Sequence, residues 1–221
     1  MPTLHTFFDF QQMREQFGTI VPGGMQIIDW TWRDQQTYSS ASDTEVNFFT
    51  AVNTNKVKSN MVSAGDIPSP EWFIVRAITI VPIIEPSYEN LTDADAAGGG
   101  YAVSAAVDMF RLLFQSRLEM FIGSSKHFDM ISANFTSGQG IYGYATSDGA
   151  SGATAVLESN RLVVANNGVP DPRAVWTLNH PKLLEPKLNF QVSMKWNSAV
   201  TLSGDTDIRV GLVGSRIRPL Q

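Results

Sequence analysis

Residues 69–84 read "SPEWFIVRAITIVPII", a run of β-branched and aromatic residues with prolines at positions 70 and 82. Side chains alternate across a strand. Trp72, Ile74, Arg76, Ile78 and Ile80 are therefore expected on one side and Phe73, Val75, Ala77, Thr79 and Val81 on the other. Both sides are largely apolar. A strand with two apolar faces lies between layers, whereas a half-solvated strand alternates apolar and polar residues. The stretch therefore predicts the central strand of a β-sandwich.

The chain around it has 221 residues, 43% hydrophobic and 17% charged, which suits one large all-β domain with a sizeable core. Cysteine is absent, so neither disulfides nor thiolate chemistry is available and packing must hold the fold. Residues 1–20 lack a basic region followed by an apolar core, and no segment approaches the roughly 18 uninterrupted apolar residues of a membrane-spanning helix. The expectation is a chain neither exported by a signal peptide nor membrane-spanning. On that expectation the sequons at Asn90 and Asn134 are coincidental. A net charge of -5 disfavours a dedicated nucleic-acid binder. Charge is uneven, however: residues 1–160 hold 8 Lys and Arg against 17 Asp and Glu, while residues 161–221 hold 8 against 4. The two parts are read as pairing within one chain, or between copies.

Along the chain, residues 1–25 read as an amphipathic N-terminal arm carrying Leu4, Phe7, Phe8, Phe10 and Phe17, which docks on its own domain or on a neighbour. Strand text follows at "MQIIDWTW" (25–32) and "TEVNFFTAV" (44–52), with the polar loop "RDQQTYSSASD" (33–43) between them. Residues 85–100 are a surface excursion ending in three glycines. Next, "YAVSAAVDMFRLLFQS" changes period, placing Val103, Ala106, Val107, Phe110, Leu113 and Phe114 on one apolar helical face. "RLEMFIG" (117–123) and "AVWTLNHP" (174–181) read as short strands, and residues 136–155 as a long exposed loop. "LNFQVSMKW" (188–196) alternates most cleanly, with Leu188, Phe190, Val192, Met194 and Trp196 inward. The chain closes on "DIRVGLVG" and "SRIRP". Seven to nine strands, one inserted helix and long crossing loops predict a Greek-key sandwich or jelly roll over residues 26–221.

Reactive constellations are sparse. His5, His127 and His180 lie in different regions at no metal-binding spacing, and Asp129 near His127 has no nucleophile to serve. Asp93 and Asp95 lack the calcium-loop spacing and read as a solvated loop. Trp30, Trp32, Trp72, Trp176 and Trp196 are the candidates for a sugar-stacking platform, although each sits in strand-like text where core packing is the commoner role. No catalytic residue, cofactor, metal or small-molecule substrate is assigned.

The succession "FFTAVNTNKVKSNMVSAGDIPSPEWFIVRAITI" (48–80), a helix-bearing insertion, "LEMFIGSSKHFD" (118–129), "GVPDPRAVWTLNHPKLLEPKLNFQVSMKW" (168–196) and "IRVGLVGSRIRPLQ" (208–221) resembles the jelly-roll major capsid proteins of tailless icosahedral bacterial viruses. The likeness spans residues 44–221 and is one of strands and turns. It implies eight strands in two facing sheets and a virion protein assembled in the host cytoplasm. It also implies partners among copies of the chain and other capsid proteins, with the inner face or arm against a genome or internal membrane. The chain has the length of a single jelly roll, whereas many such viruses use a longer, double one. The alternative is a carbohydrate- or receptor-binding sandwich. A sandwich-fold hydrolase would require two carboxylates converging at roughly 5–9 Å.

Overall fold

The computed structural model describes residues 25–83, 101–135, 142–146, 162–166, 176–202 and 204–219. Ten strands and one α-helix lie there, in the order β1 (Met25–Tyr38), β2 (Glu45–Phe48), β3 (Trp72–Ile83), α1 (Tyr101–Phe114), β4 (Ser116–Ile122), β5 (Ser125–Ile131), β6 (Tyr142–Thr146), β7 (Leu162–Asn166), β8 (Thr177–Leu184), β9 (Phe190–Trp196) and β10 (Thr206–Pro219). A 3₁₀ turn at Ser132–Phe135 follows β5. The chain is mostly β, two antiparallel sheets in a sandwich-like arrangement with one helix. The first sheet runs β1-β10-β3-β8 and the second β2-β9-β4-β5, while β6 and β7 form a separate two-stranded sheet. The N-terminal arm expected over residues 1–25 lies outside the described residues, except that Met25 already pairs with Pro219 in β1. The excursion at 85–100 also lies outside them.

Apolar side chains from both sheets meet in one continuous core. Trp32, Phe73, Val75, Ile78, Ile80, Ile208, Val210 and Leu212 come from the first sheet, and Val46, Phe48, Leu118, Met120, Phe190, Val192, Met194 and Trp196 from the second. β3 lies inside its sheet, flanked by β10 and β8, as its apolar run predicts. Its alternation differs from the expected one. Opposite β10 the register passes from Ala77↔Val213 to Val75↔Gly214, so Arg76 is an extra residue, a β-bulge. The bulge reverses the alternation. Phe73 and Val75 share the core with Ile78 and Ile80, the very residues that strict alternation separates.

Gly214 makes this bulge possible. A Cβ there would stand 1.8 Å from the Ile74 carbonyl oxygen and 3.2 Å from Val75 Cα, both rigid backbone. At Gly211 a Cβ would meet chiefly the Thr79 hydroxyl, at 2.6 Å, which is a side chain able to rotate.

Other expectations change in the same way. β1 continues to Tyr38 through residues read as a polar loop, because β10 pairs with it along its whole length. Asp34 is thereby buried, where its Oδ2 accepts from the Phe49 amide at 2.7 Å and the Gln36 side chain at 2.8 Å. Residues 142–146, assigned to the exposed loop 136–155, form β6 against β7. β5 covers "SKHFDMI", text without clean alternation, and pairs along β4.

The helix is present but turned. Met109, Leu112 and Leu113 face the core, while Phe110 and Phe114, placed on the inward stripe by their spacing, are 52% and 50% exposed and stack on each other at 4.3 Å. Three hydrogen bonds hold this orientation. Trp196 Nε1 and Ser116 Oγ both donate to the Leu112 carbonyl, at 3.2 and 2.5 Å, and Arg111 Nη1 donates to Thr201 O at 2.9 Å. Beside the helix, the buried Tyr38 hydroxyl accepts from Val200 N at 2.6 Å and donates to Val200 O at 3.0 Å, which clips the β9–β10 connection onto the end of β1. Burial raises the Tyr38 pKa, opposed by the backbone hydrogen bond to Val200 and helped by the charge of Asp43.

Gly214→Ala is expected to destabilise the chain by about 3 kcal/mol or more, the upper range for forced overpacking, and Gly211→Ala by less than half as much. Urea titration of the two variants checks the contrast. Tyr38→Phe strands the Val200 amide, while the Val200 carbonyl keeps the Ala41 N–H at 3.0 Å, and is expected to cost about 1–3 kcal/mol in the same measurement.

Candidate functional site

The most elaborate polar constellation among the described residues lies on the outward face of the second sheet. Glu119 points away from the core between Leu118 and Met120, which point into it, and its register partners are Ser193 on β9 and Asp129 on β5. Despite facing outward, its side chain is only 3% exposed. Three cations cover it: Lys126 Nζ at 2.9 Å, Lys195 Nζ at 3.2 Å and Arg117 Nη2 at 3.3 Å. Each of these reaches a second carboxylate. Lys126 and Arg117 meet Asp129 at 3.1 and 3.7 Å, and Lys195 meets Glu45 at 3.5 Å. The six groups link all four strands of the sheet, with three charges of each sign.

Phe121 and a polar ladder flank this network. The Lys126 and Lys195 ammonium groups stand 5.6 and 5.9 Å from the centre of the Phe121 ring, at cation–π range. Ser193 Oγ donates to Asn47 Oδ1 at 2.6 Å, and the Gln191 amide donates to both. Gln191 and Ser193, with Asn189, Phe121 and Glu45, border a groove of about 240 Å³ between β2, β9 and the β4–β5 turn.

Burial alone opposes ionisation of Glu119. Hydrogen bonds from Lys126 and Lys195, reinforced by their charges, outweigh it and hold the carboxyl below its usual value. Lys126 is raised in turn, first by its hydrogen bond to Glu119 and then by that to Asp129. Asp207, on the outward face of the first sheet, shows the same balance: burial is overcome by hydrogen bonds from Thr37, Gln35 and Lys58, and its pKa is lowered. Each carboxylate of the face around Glu119 is thus paired with at least one cation, and the charges compensate one another.

The sequence candidates do not gather there. His127 lies on β5 where the ladder passes from Met120↔Phe128 to Phe121↔Lys126, so it is itself the extra residue of a bulge and its spacing to Asp129 does not place the two in one row. Burial, and after it the charge of Lys182, push the His127 imidazole below its usual value. His180 is exposed on β8, and His5, Asp93 and Asp95 lie outside the described residues. Among the described residues no three His, Asp or Glu side chains are grouped to hold a metal ion. The tryptophans form no platform: Trp32 and Trp196 are core residues, Trp30 packs on the core, Trp72 is partly buried in a separate cluster, and Trp176, 39% exposed, lies beside Phe135. The ionic network went unread in the sequence, although two polar signals were available in it: Arg117 and Glu119 two apart in "RLEMFIG", and Lys195 among the outward residues of β9. The chain matches no family model, no curated protein and no solved structure.

A carboxyl with a lowered folded pKa stabilises the fold above its unfolded pKa of about 4.3 and loses that contribution as pH falls through the folded value. Glu119→Gln is therefore expected to be about 1.5–3 kcal/mol less stable than the native chain at pH 7, the range for hydrogen bonds to charged groups. The difference should shrink as pH falls from about 4.3 through the folded value. Denaturant titrations across the acid range measure this, and a pH-independent difference would remove the ionised carboxylate from the account.

Proposed function

We propose that this chain is a jelly-roll structural protein of a virion, a shell subunit that assembles with copies of itself and with other capsid proteins. The observation that carries the reading is the strand order. Leaving aside the β6–β7 hairpin and counting the eight sandwich strands in chain order, the pairs are 1 with 8, 2 with 7, 3 with 6 and 4 with 5. Those are the pairs of one long antiparallel hairpin. Pairs 1·8 and 3·6 fall in the first sheet and 2·7 and 4·5 in the second, and contacts 8·3 and 7·4 join them, which is how a hairpin rolled over itself builds a jelly roll.

Fold alone does not give function, so the surface must supply the rest of the support. The described surface carries the self-compensated ionic face around Glu119 and scattered apolar groups at Phe110, Phe114, Ile131 and Trp176, each 39–52% exposed. Such a surface suits many moderate contacts between identical copies, which multiply into a stable closed assembly. The genome or an internal membrane would face one side of that shell. Among the described residues no helix is long and apolar enough to cross a membrane.

Electron microscopy and light scattering of the purified full-length chain test the proposal. Closed particles or regular capsomers are expected. A monodisperse 24.3 kDa monomer at every salt and protein concentration would overturn it, and glycan binding by that monomer would favour the carbohydrate-binding alternative.

A further inference from the structure

We propose that an apolar patch on the outward face of the first sheet is the docking surface for the N-terminal segment, residues 1–24, of the same copy of the chain. The register sets Ile27, Ile217 and Trp72 side by side across β1, β10 and β3, and Ile74 beside Leu183 on β8. With Met25 these residues form a cluster separate from the core. It lies on the opposite face, because the alternating neighbours Trp32, Phe73 and Val75 point inward. Ile74 and Ile217 are 2% and 1% exposed although their face is the outer one, and the other four are only partly buried. A contiguous outward apolar patch of this kind marks a surface that something covers.

Two observations name the occupant. Met25, where the described structure begins, is itself a member of the patch, so the 24 residues before it arrive at the patch margin. Those residues include Leu4, Phe7, Phe8, Phe10 and Phe17, large side chains whose removal from water drives docking on an apolar surface. A tether beginning at the patch gives the copy's own segment a high effective concentration over any other partner. The assignment stands independently of the shell reading.

The chain contains no cysteine, so Phe10→Cys in the full-length protein accepts a single benzophenone photolabel. Illumination is expected to give an adduct of monomer mass, mapped by mass spectrometry to peptides containing Trp72 to Ile74, Leu183 or Ile217. Adducts confined to the Phe110–Phe114 helix, adducts of dimer mass, or none would each overturn the proposal. Arg14 is the one Lys or Arg in residues 1–24, which makes trypsin a second probe. Leu183→Asp, at a partly buried site, is expected to speed cleavage after Arg14 about tenfold, and Ile27→Asp repeats the measurement from the opposite side of the patch. Cleavage at the native rate in both variants would overturn the docking.

Discussion

The close approach of the Gly214 backbone to the Ile74 carbonyl governs the first sheet. With no Cβ in the way, β10 lies against β3 while β3 carries one residue more than its partner, and that residue, Arg76, absorbs the mismatch. β10 keeps its alternation, so the reversal falls entirely on β3. Four large apolar side chains of β3 consequently enter one core, while Trp72 and Ile74 remain outside to build the second cluster. The bulge thus creates both the sandwich interior and its outward patch. On β10, whose alternation is unbroken, Arg216 faces inward at the core margin, where the guanidinium makes two hydrogen bonds to Glu71, at 2.6 and 2.8 Å, and lies 5.0 and 5.3 Å from the centres of the Trp30 and Trp32 rings.

The second sheet solves a different problem. Its inner face is plainly apolar, yet its outer face buries Glu119 and Ser193, and a carboxylate held away from water is tolerated only with partners in good geometry. Lys126, Lys195 and Arg117 arrive from β5, β9 and β4 to supply them, and Asp129 and Glu45 return the balance to neutrality. The resulting layer ties β2, β9, β4 and β5 together on the side that the core cannot reach. Both outer faces of the sandwich are therefore structured, one by apolar contact and one by charge.

At one end of the sandwich, α1 and the Tyr38 clip work together. Trp196, the last residue of β9, spans both, packing against Tyr38 with ring centres 4.6 Å apart and planes tilted by 53°, and donating its indole proton to the helix at Leu112. The helix orientation follows from that bond as much as from apolarity. Since "MFRLLF" is apolar around most of its circumference, hydrophobic spacing is compatible with more than one buried stripe, and the hydrogen bonds to Leu112 O select the stripe containing Met109, Leu112 and Leu113.

Local pattern alone carried the strand-rich character of the chain, the interior position of Trp72–Ile83, the inward row Phe190, Val192, Met194 and Trp196, and the existence of the helix, because each is a periodicity among near neighbours. Tertiary structure decided what periodicity does not encode. The extension of β1 through Asp34 to Tyr38 depends on a partner some 170 residues away in sequence, as in the contact of Thr37 with Asp207. The bulge at Arg76 depends on a glycine in another strand, and the face around Glu119 on charges drawn from four separate segments. Register and charge pairing are properties of strands brought together, and they come into being only when the sheets assemble.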